Sequence, residues 1–315
     1  SKRTIHVLQN RTNLFVANIH ICILCVTRLT IHAFRLDSSP NPSRANRSPL
    51  TIPMMSPTAC NFTIVAHTVT DIGCVRKSNQ DAVAYIAPKL ASENQRYGVL
   101  VIVADGMGGH QGGEVASKLA LQTIAECYYT TADDDPKSAL EAAVESANDV
   151  IYRISQSHKQ LEGMGTTVTA VALVAGKVIF ANVGDSRLYR CANGTCRQLT
   201  RDDTLVEQLL RAGAISADQA RHHPIRNILL RSVGTQDELR VIASFAEPPA
   251  IGDHFVLCSD GLYDTINADE IAAAVSNREP EAACRELVDL ARQRGGQDNI
   301  SIGVIAIQEP ATIDC

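Results

Sequence analysis

The sequence of 315 residues has no apolar run long enough to cross a bilayer. Its best candidate, residues 14–26, is interrupted by Asn18 and His20 and falls short of the roughly 20 residues a spanning helix needs. A dinucleotide fingerprint is missing too. Gly106 and Gly108 follow an apolar run, but the third position of G-x-G-x-x-G is Gln111, and Asp105 at the strand tip would repel a pyrophosphate. No second cysteine pair or histidine pair completes Cys22-x-x-Cys25, so no zinc site is expected there. The 10 cysteines are scattered, and several lie inside apolar runs, as Cys258 does in His254-Phe255-Val256-Leu257-Cys258. They read as reduced, small buried residues of a cytoplasmic protein.

Acid is scarce only at the start. Residues 1–53 hold seven Lys and Arg against the single acid Asp37, which leaves 22 basic and 33 acidic residues in the remainder. An acidic body argues against nucleic acid or an anionic membrane as the main partner and suits a cluster of cation-binding carboxylates. Residues 38–57 are rich in Ser, Pro, Asn and Arg without periodicity and read as a linker. A basic, acid-poor start is also a property of signal and transit segments. The first methionines, however, are Met54 and Met55, directly before a domain start. Residues 1–57 are therefore expected to be a disordered or dispensable extension, residues 1–53 even an over-extended reading frame, with the functional domain at 58–310.

With 45% apolar and 20% charged residues the chain can bury a substantial core. The stretch Val99-Leu100-Val101-Ile102-Val103-Ala104-Asp105-Gly106-Met107-Gly108-Gly109 organises it: a buried strand ends at one carboxylate, glycines follow, and residues 115–128 read as a helix. A carboxylate at such a place must be hydrogen-bonded, paired or bound to a cation, and glycines let backbone or ligand come close.

Residues 62–70 alternate like a strand and lead into Asp71-Ile72-Gly73-Cys74-Val75-Arg76-Lys77-Ser78-Asn79-Gln80-Asp81, which taken alone is a polar loop with a surface ion pair. Asp135-Pro136 is a helix start, with Ala139, Ala143, Ala147, Ile151 and Ile154 at helical spacing. Residues 167–174, 177–183 and 187–191, with turns at Ala175-Gly176 and Asn193-Gly194, make an antiparallel sheet, and Asp185 sits at a tight turn between two of its strands. Residues 204–212 read as a short helix, and residues 213–234 as a polar excursion that could lie over a site, with His222 and His223 as solvated loop residues rather than ligands. Phe255-Val256-Leu257-Cys258-Ser259-Asp260-Gly261 then repeats the strand-to-Asp-Gly theme. Asn267 and Glu270 form a capping box, Cys284, Leu287, Val288 and Ala291 mark a last amphipathic helix, and Gln297-Asp298-Asn299 leads into a final strand.

Three strands thus offer a carboxylate at an end: Asp105, Asp260 and Asp298. Oxygen-only ligation selects a hard cation, Mg²⁺ or Mn²⁺. Two such ions about 3.5–4 Å apart acidify a bridging water and clamp a transferring phosphoryl group without a covalent nucleophile.

Six motifs in order, Asp71-x-Gly73-x-x-Arg76-x-x-Asn79-Gln80-Asp81, Asp105-Gly106-Met107-Gly108-Gly109-His110, Gly163-Met164-Gly165-Thr166-Thr167, Val183-Gly184-Asp185-Ser186-Arg187, Ser259-Asp260-Gly261-Leu262 and Gln297-Asp298-Asn299, resemble the metal-dependent protein phosphatases of type 2C in their bacterial form. The resemblance covers roughly residues 62–307. It implies an α+β fold, a four-layer α-β-β-α sandwich of two mostly antiparallel sheets flanked by helices. It implies a serine/threonine phosphatase that uses two Mn²⁺ or Mg²⁺ ions and a metal-bridging water, opposes a serine/threonine kinase and works as a monomer on phosphorylated proteins. By resemblance, Asp105 bridges the ions, the Gly106 carbonyl ligates one, Asp260 and Asp298 complete the other, and Asp81 holds metal-bound waters. Arg76 takes the phosphate, His110 is the candidate general acid, and Asp185 with Asp260 or Asp264 matches a third, weaker cation site. Residues 201–234 fall at the family's flap. Two departures stand out: Met107 replaces the histidine that eukaryotic members carry after Asp-Gly, and Asp202-Asp203-Thr204 opens the flap where many relatives read Asp-His-Ser. The alternative, a relative that only binds phosphoproteins, would be expected to lose metal aspartates, and none is missing.

Overall fold

The computed structural model describes residues 62–87, 96–108, 111–276 and 278–310. The extension 1–57, Cys22, Cys25 and His110 lie outside the described residues.

Strand β3 (Val99–Met107) shows why its sequence is apolar without alternation. Leu100, Ile102 and Ala104 face helices α1 (Gly112–Thr130) and α2 (Pro136–Ser157), while Val99, Val101 and Val103 face a second sheet. Successive side chains point to opposite faces, and here both faces are covered. β3 lies between β2 (Asp81–Ile86) and β5 (Val168–Val174), and the order continues through β6 (Lys177–Val183) to the short β9 (Ser244–Phe245). The two-residue β4 (Gly165–Thr166) pairs with the end of β3.

The second sheet runs β1 (Thr63–Asp71), β11 (Ile300–Gln308), β10 (His254–Cys258), β7 (Arg187–Ala192), β8 (Thr195–Gln198). Every pairing in both sheets is antiparallel. Leu188, Phe255, Leu257, Ile305 and Ile307 meet the first sheet, and Val256, Ile300, Ile302 and Val304 meet the far helices through Ile271, Cys284 and Leu287. Helix, sheet, sheet, helix: the expected four-layer α+β sandwich is what forms. The expected turns hold as well, with positive φ at Ala175 and Gly176 and at Asn193 and Gly194, as two-residue hairpin loops of the primed type require.

The expected short helix after residue 204 forms as α3 (Leu205–Arg211), while the smaller α4 (Ala217–Arg221), which escaped the periodicity, joins it in the flap with a capping box from Ser216 and Gln219. A four-residue helix α5 (Asp260–Tyr263) follows β10, and α6 (Ala268–Val275) and α7 (Pro280–Gln293) complete the outer layer, with Asn267 and Glu270 forming the expected cap.

One expectation is corrected. Not all described cysteines are free: Cys191 and Cys196 stand opposite each other across the β7–β8 hairpin and form a disulfide. The tight Asn193-Gly194 turn sets that register, which spacing of scattered cysteines does not reveal. Cys74, Cys127, Cys258 and Cys284 are free.

Candidate active site

Antiparallel pairing gathers the motifs. Asp81 opens β2 directly opposite Asp105, near the end of β3. Cys258, at the end of β10, is in register with both Ile302 and Arg187, so Asp260, Asp298 and Asp185 all lie at that same end of their sheet. Asp71 pairs with Ile300, which brings the Arg76 loop, more than 220 residues away in sequence, onto the Asp298 loop.

Glycine makes the approach possible. A Cβ on Gly106 would lie 2.1 Å from the Gly113 carbonyl oxygen and 2.5 Å from that of Gln80, so strand end and helix start meet backbone to backbone. Gly261 is equally confined, its Cβ falling 2.0 Å from the Asn299 oxygen.

Polar side chains fix the carboxylates in place. Thr167 N donates to the Asp105 carbonyl at 2.8 Å and Thr166 Oγ1 to the same oxygen at 2.9 Å, while Asp105 N donates to Thr167 Oγ1 at 3.0 Å. Thr167 Oγ1 in turn lies 2.7 Å from Ser186 Oγ. Ser259 Oγ donates to Asp81 Oδ2 at 2.7 Å. Asn299 accepts from Gln80 N at 2.8 Å and donates to the carbonyls of Ile72 and Ser78 at 3.0 and 3.1 Å. Thr166, Thr167, Ser259 and Asn299 are positioning residues to which sequence reasoning assigned no role. Their only signal was membership of the motifs.

The electrostatics are those of crowded acids. Burial first, then Asp81, Asp260, Asp185 and Asp298, push the Asp105 carboxyl well above the usual range. Burial and the neighbours Asp185 and Asp298 do the same to Asp260. Asp81 is pushed up to about 6 by burial, against the hydrogen bond from Ser259, and Asp185 to about 6 by burial and then Asp202. The edges of Asp105 and Asp260 reach solvent, but surrounding protein strips most of their hydration. Asp260 Oδ1 is buried with no hydrogen-bond partner, and it is the one such side-chain atom among the described residues. An unmatched buried carboxylate oxygen is costly, and cations are what it accepts.

The residues present therefore fit a hard cation: oxygen donors on rigid strand ends, an orphaned carboxylate oxygen, and like charges in need of a counter-charge. As placed, no three described His, Cys, Asp or Glu side chains form a ready cage. Asp298 is taken by Arg76 Nη2 at 2.6 Å, Asp81 by Ser259, and like charges keep their distance.

The flap residues explain one departure. Asp202 holds Arg187 Nη2 at 2.7 Å, the Arg187 guanidinium stacks 3.6 Å from the Tyr263 ring centroid, and Asp203 accepts from Gly184 N at 3.2 Å and from Arg231 Nη1 at 3.3 Å. Asp202-Asp203 thus pins the flap root to the Asp185 turn, and Thr204 caps α3 through Glu207 N. Arg226 of the flap reaches Asp264 Oδ2 at 3.3 Å, where a cavity lined by Asp185, Arg187, Tyr263 and Asp264 opens beneath the flap helices. His222 is exposed, as expected for a solvated residue. Arg76 pairs with Asp298 and not with Asp81, so the bland reading of that loop as a local ion pair is replaced by a long-range one.

A fold of two antiparallel sheets between helices, with acids and a guanidinium gathered at one end, defines a class of metal-assisted hydrolases, and the comparisons narrow it. Residues 75–299 match the family model described as Protein phosphatase 2C, and the chain belongs to that family. It is 37% identical over 238 residues to the serine/threonine phosphatase stp of Listeria monocytogenes serotype 4b, covering 74% of this chain and 92% of that one. Among solved structures, the S. agalactiae serine/threonine phosphatase superposes with a TM-score of 0.71 at 32% identity, over 78% of this chain and 99% of that one. The catalytic domain of PstP in complex with 2 manganese ions gives a TM-score of 0.66 at 32% identity, over 78% of this chain and 100% of that one. Among the described residues no helix is long and apolar enough to cross a membrane.

Proposed function

We propose that the chain is a metal-dependent serine/threonine protein phosphatase that hydrolyses phosphoserine and phosphothreonine in phosphorylated proteins, with Asp105, the Gly106 carbonyl, Asp260 and Asp298 holding two Mn²⁺ or Mg²⁺ ions. The observation that carries this reading is the buried, unpartnered Asp260 Oδ1 within a ring of acids that raise one another's proton affinity. When bound, the cations supply the positive charge that acidifies water and neutralises the phosphoryl oxygens.

The chain's own groups do the rest. Arg76, carried on a loop tied to Asn299, presents a planar fork to two phosphate oxygens, which aligns the phosphorus for attack and takes up charge developing on those oxygens. Asp81, held by Ser259, accepts hydrogens from water beside Asp105 and orients its lone pair. His110 delivers a proton to the departing serine or threonine oxygen. Asp185 and Asp264 offer a third, weaker cation site at the flap. A cognate serine/threonine kinase supplies the phosphoproteins, the enzyme is a cytoplasmic monomer, and residues 58–310 carry the activity without the extension.

The test is turnover on phosphoserine and phosphothreonine peptides with Mn²⁺ and with chelator. Cation-dependent release of phosphate is expected. Binding of the phosphopeptide without release would leave a phosphoprotein binder instead. His110→Ala should slow phosphoserine hydrolysis far more than that of an aryl phosphate, whose leaving group needs no proton, and equal losses would remove His110 from the role.

A further inference from the structure

Arg76 is already engaged: its Nη2 donates to Asp298 Oδ2 at 2.6 Å, the one hydrogen bond its guanidinium makes among the described residues. The pair is 52% and 32% exposed, so its strength is that of a surface ion pair, weak enough to exchange. The loop beneath it does not need to move for that exchange. Cys74 N donates to the Gly296 carbonyl at 2.8 Å, Arg292 Nη1 clasps Asp71 at 2.6 and 2.8 Å, and Asn299 holds the carbonyls of Ile72 and Ser78. The backbone on both sides of residue 76 is thus tied to the Asp298 loop, and only the Arg76 side chain is left to swing.

We infer that Arg76 is the resident counter-ion of Asp298, that a divalent cation arriving at Asp298 displaces it, and that the displaced guanidinium is what then meets the phosphate. This deepens the two-cation reading above and rests on it. A dication outcompetes a half-exposed guanidinium at a carboxylate because its charge is doubled and Asp105 and Asp260 pull on it as well. The order of events follows: the cation is bound first, and the anion site exists only afterwards. An enzyme so built does not trap phosphate or phosphoprotein before it is loaded, and Arg76 weakens cation binding for as long as no phosphate is present.

Mn²⁺ titration calorimetry in phosphate-free buffer tests this on the full chain, with Arg76→Ala, with Lys77→Ala as a neighbouring cation that does not touch Asp298, and with melting midpoints in chelator to show that the variants fold. Arg76→Gln, which keeps the stem, replaces Arg76→Ala should that variant unfold. Removing the competitor should tighten Mn²⁺ binding about two- to five-fold in Arg76→Ala and leave Lys77→Ala within measurement error of wild type. Equal tightening in both variants means simple long-range repulsion and overturns the inference, as does unchanged or weaker binding in Arg76→Ala. If the wild type takes up no Mn²⁺ at all, the metal reading itself fails and takes this one with it.

Discussion

Replacing Asp105 by Asn keeps the shape of a side chain whose backbone is clamped by Thr166 and Thr167 and removes only its charge. A neutral amide cannot offset two dications, so turnover at saturating Mn²⁺ should fall by about three orders of magnitude or more, with fewer ions bound by calorimetry. In chelator the melting midpoint should hold or rise, because the repulsion from Asp81, Asp260, Asp185 and Asp298 is relieved. Near-normal turnover would sink the two-cation reading. Thr167→Val makes the complementary change, since it keeps volume near Asp105 and removes the hydroxyl that accepts from Asp105 N and meets Ser186. A stability loss of about 1–3 kcal/mol is expected, together with weaker Mn²⁺ binding, and a variant with unchanged metal affinity would show that the clamp does not position Asp105. The acids were legible in sequence because a carboxylate closing an apolar strand is locally odd. Thr167, Ser259 and Asn299 were not, because the groups they hold are 62, 178 and 219 residues away and ordinary polar residues in motifs carry no local sign of such reach.

Helix α1 begins with Gly112 and Gly113, and among the described residues no side chain caps it. In an exposed helix Gly→Ala stabilises by about 0.5–1 kcal/mol. Here the added methyl of Gly113→Ala would sit 2.6 Å from the Gly106 carbonyl oxygen and 2.7 Å from its carbon, both backbone atoms of β3 that cannot swing aside. The overlap outweighs the helix gain, so the variant should lose about 1–3 kcal/mol and, by pushing the Gly106 carbonyl, bind Mn²⁺ less well. Denaturant unfolding and calorimetry read both effects, and a more stable variant would show that the helix start has room. At this scale long periodic elements and glycine turns were legible: β3, α2, α7 and both hairpin turns follow from pattern and punctuation. The elements that were not, namely β2, β4, α4, α5, β8 and β9, have six residues or fewer, too short for periodicity to register. The Cys191–Cys196 pair was hidden for another reason, since it depends on hairpin register and not on composition.

A chain starting at Met55 should melt and turn over like the full chain, since the packed layers begin at β1, and a loss of several degrees would show that the discarded segment is a structural arm. The acid cluster gives the whole molecule a further, pH-dependent property. Without cations, Asp81 and Asp185 release their protons only near pH 6, and Asp105 and Asp260 later than an ordinary carboxylic acid, mainly because burial disfavours their charged forms. Between about pH 4 and 6 the native state therefore binds more protons than the unfolded chain, and stability falls as pH rises through that window. Groups of the opposite kind act lower down. Glu270, held to about 2 by Arg294, withdraws its contribution only as pH drops through the unfolded glutamate range near 4.5 and below. In chelator the melting midpoint should thus be higher at pH 5 than at pH 7, by a free energy on the order of 1–3 kcal/mol, each of the four acids adding to the trend. Cations reverse the sign, because a carboxylate must lose its proton to bind one, so Mn²⁺ affinity should weaken below about pH 6 and the Mn²⁺-dependent rise in melting midpoint should shrink from pH 7 to pH 5. Scans in chelator and in saturating Mn²⁺ at the two pH values measure both slopes on one protein. A chelator profile that is flat or rises with pH would mean that Asp81, Asp105, Asp185 and Asp260 are already solvated or paired, and the need for a cation at this end of the sandwich would disappear with it.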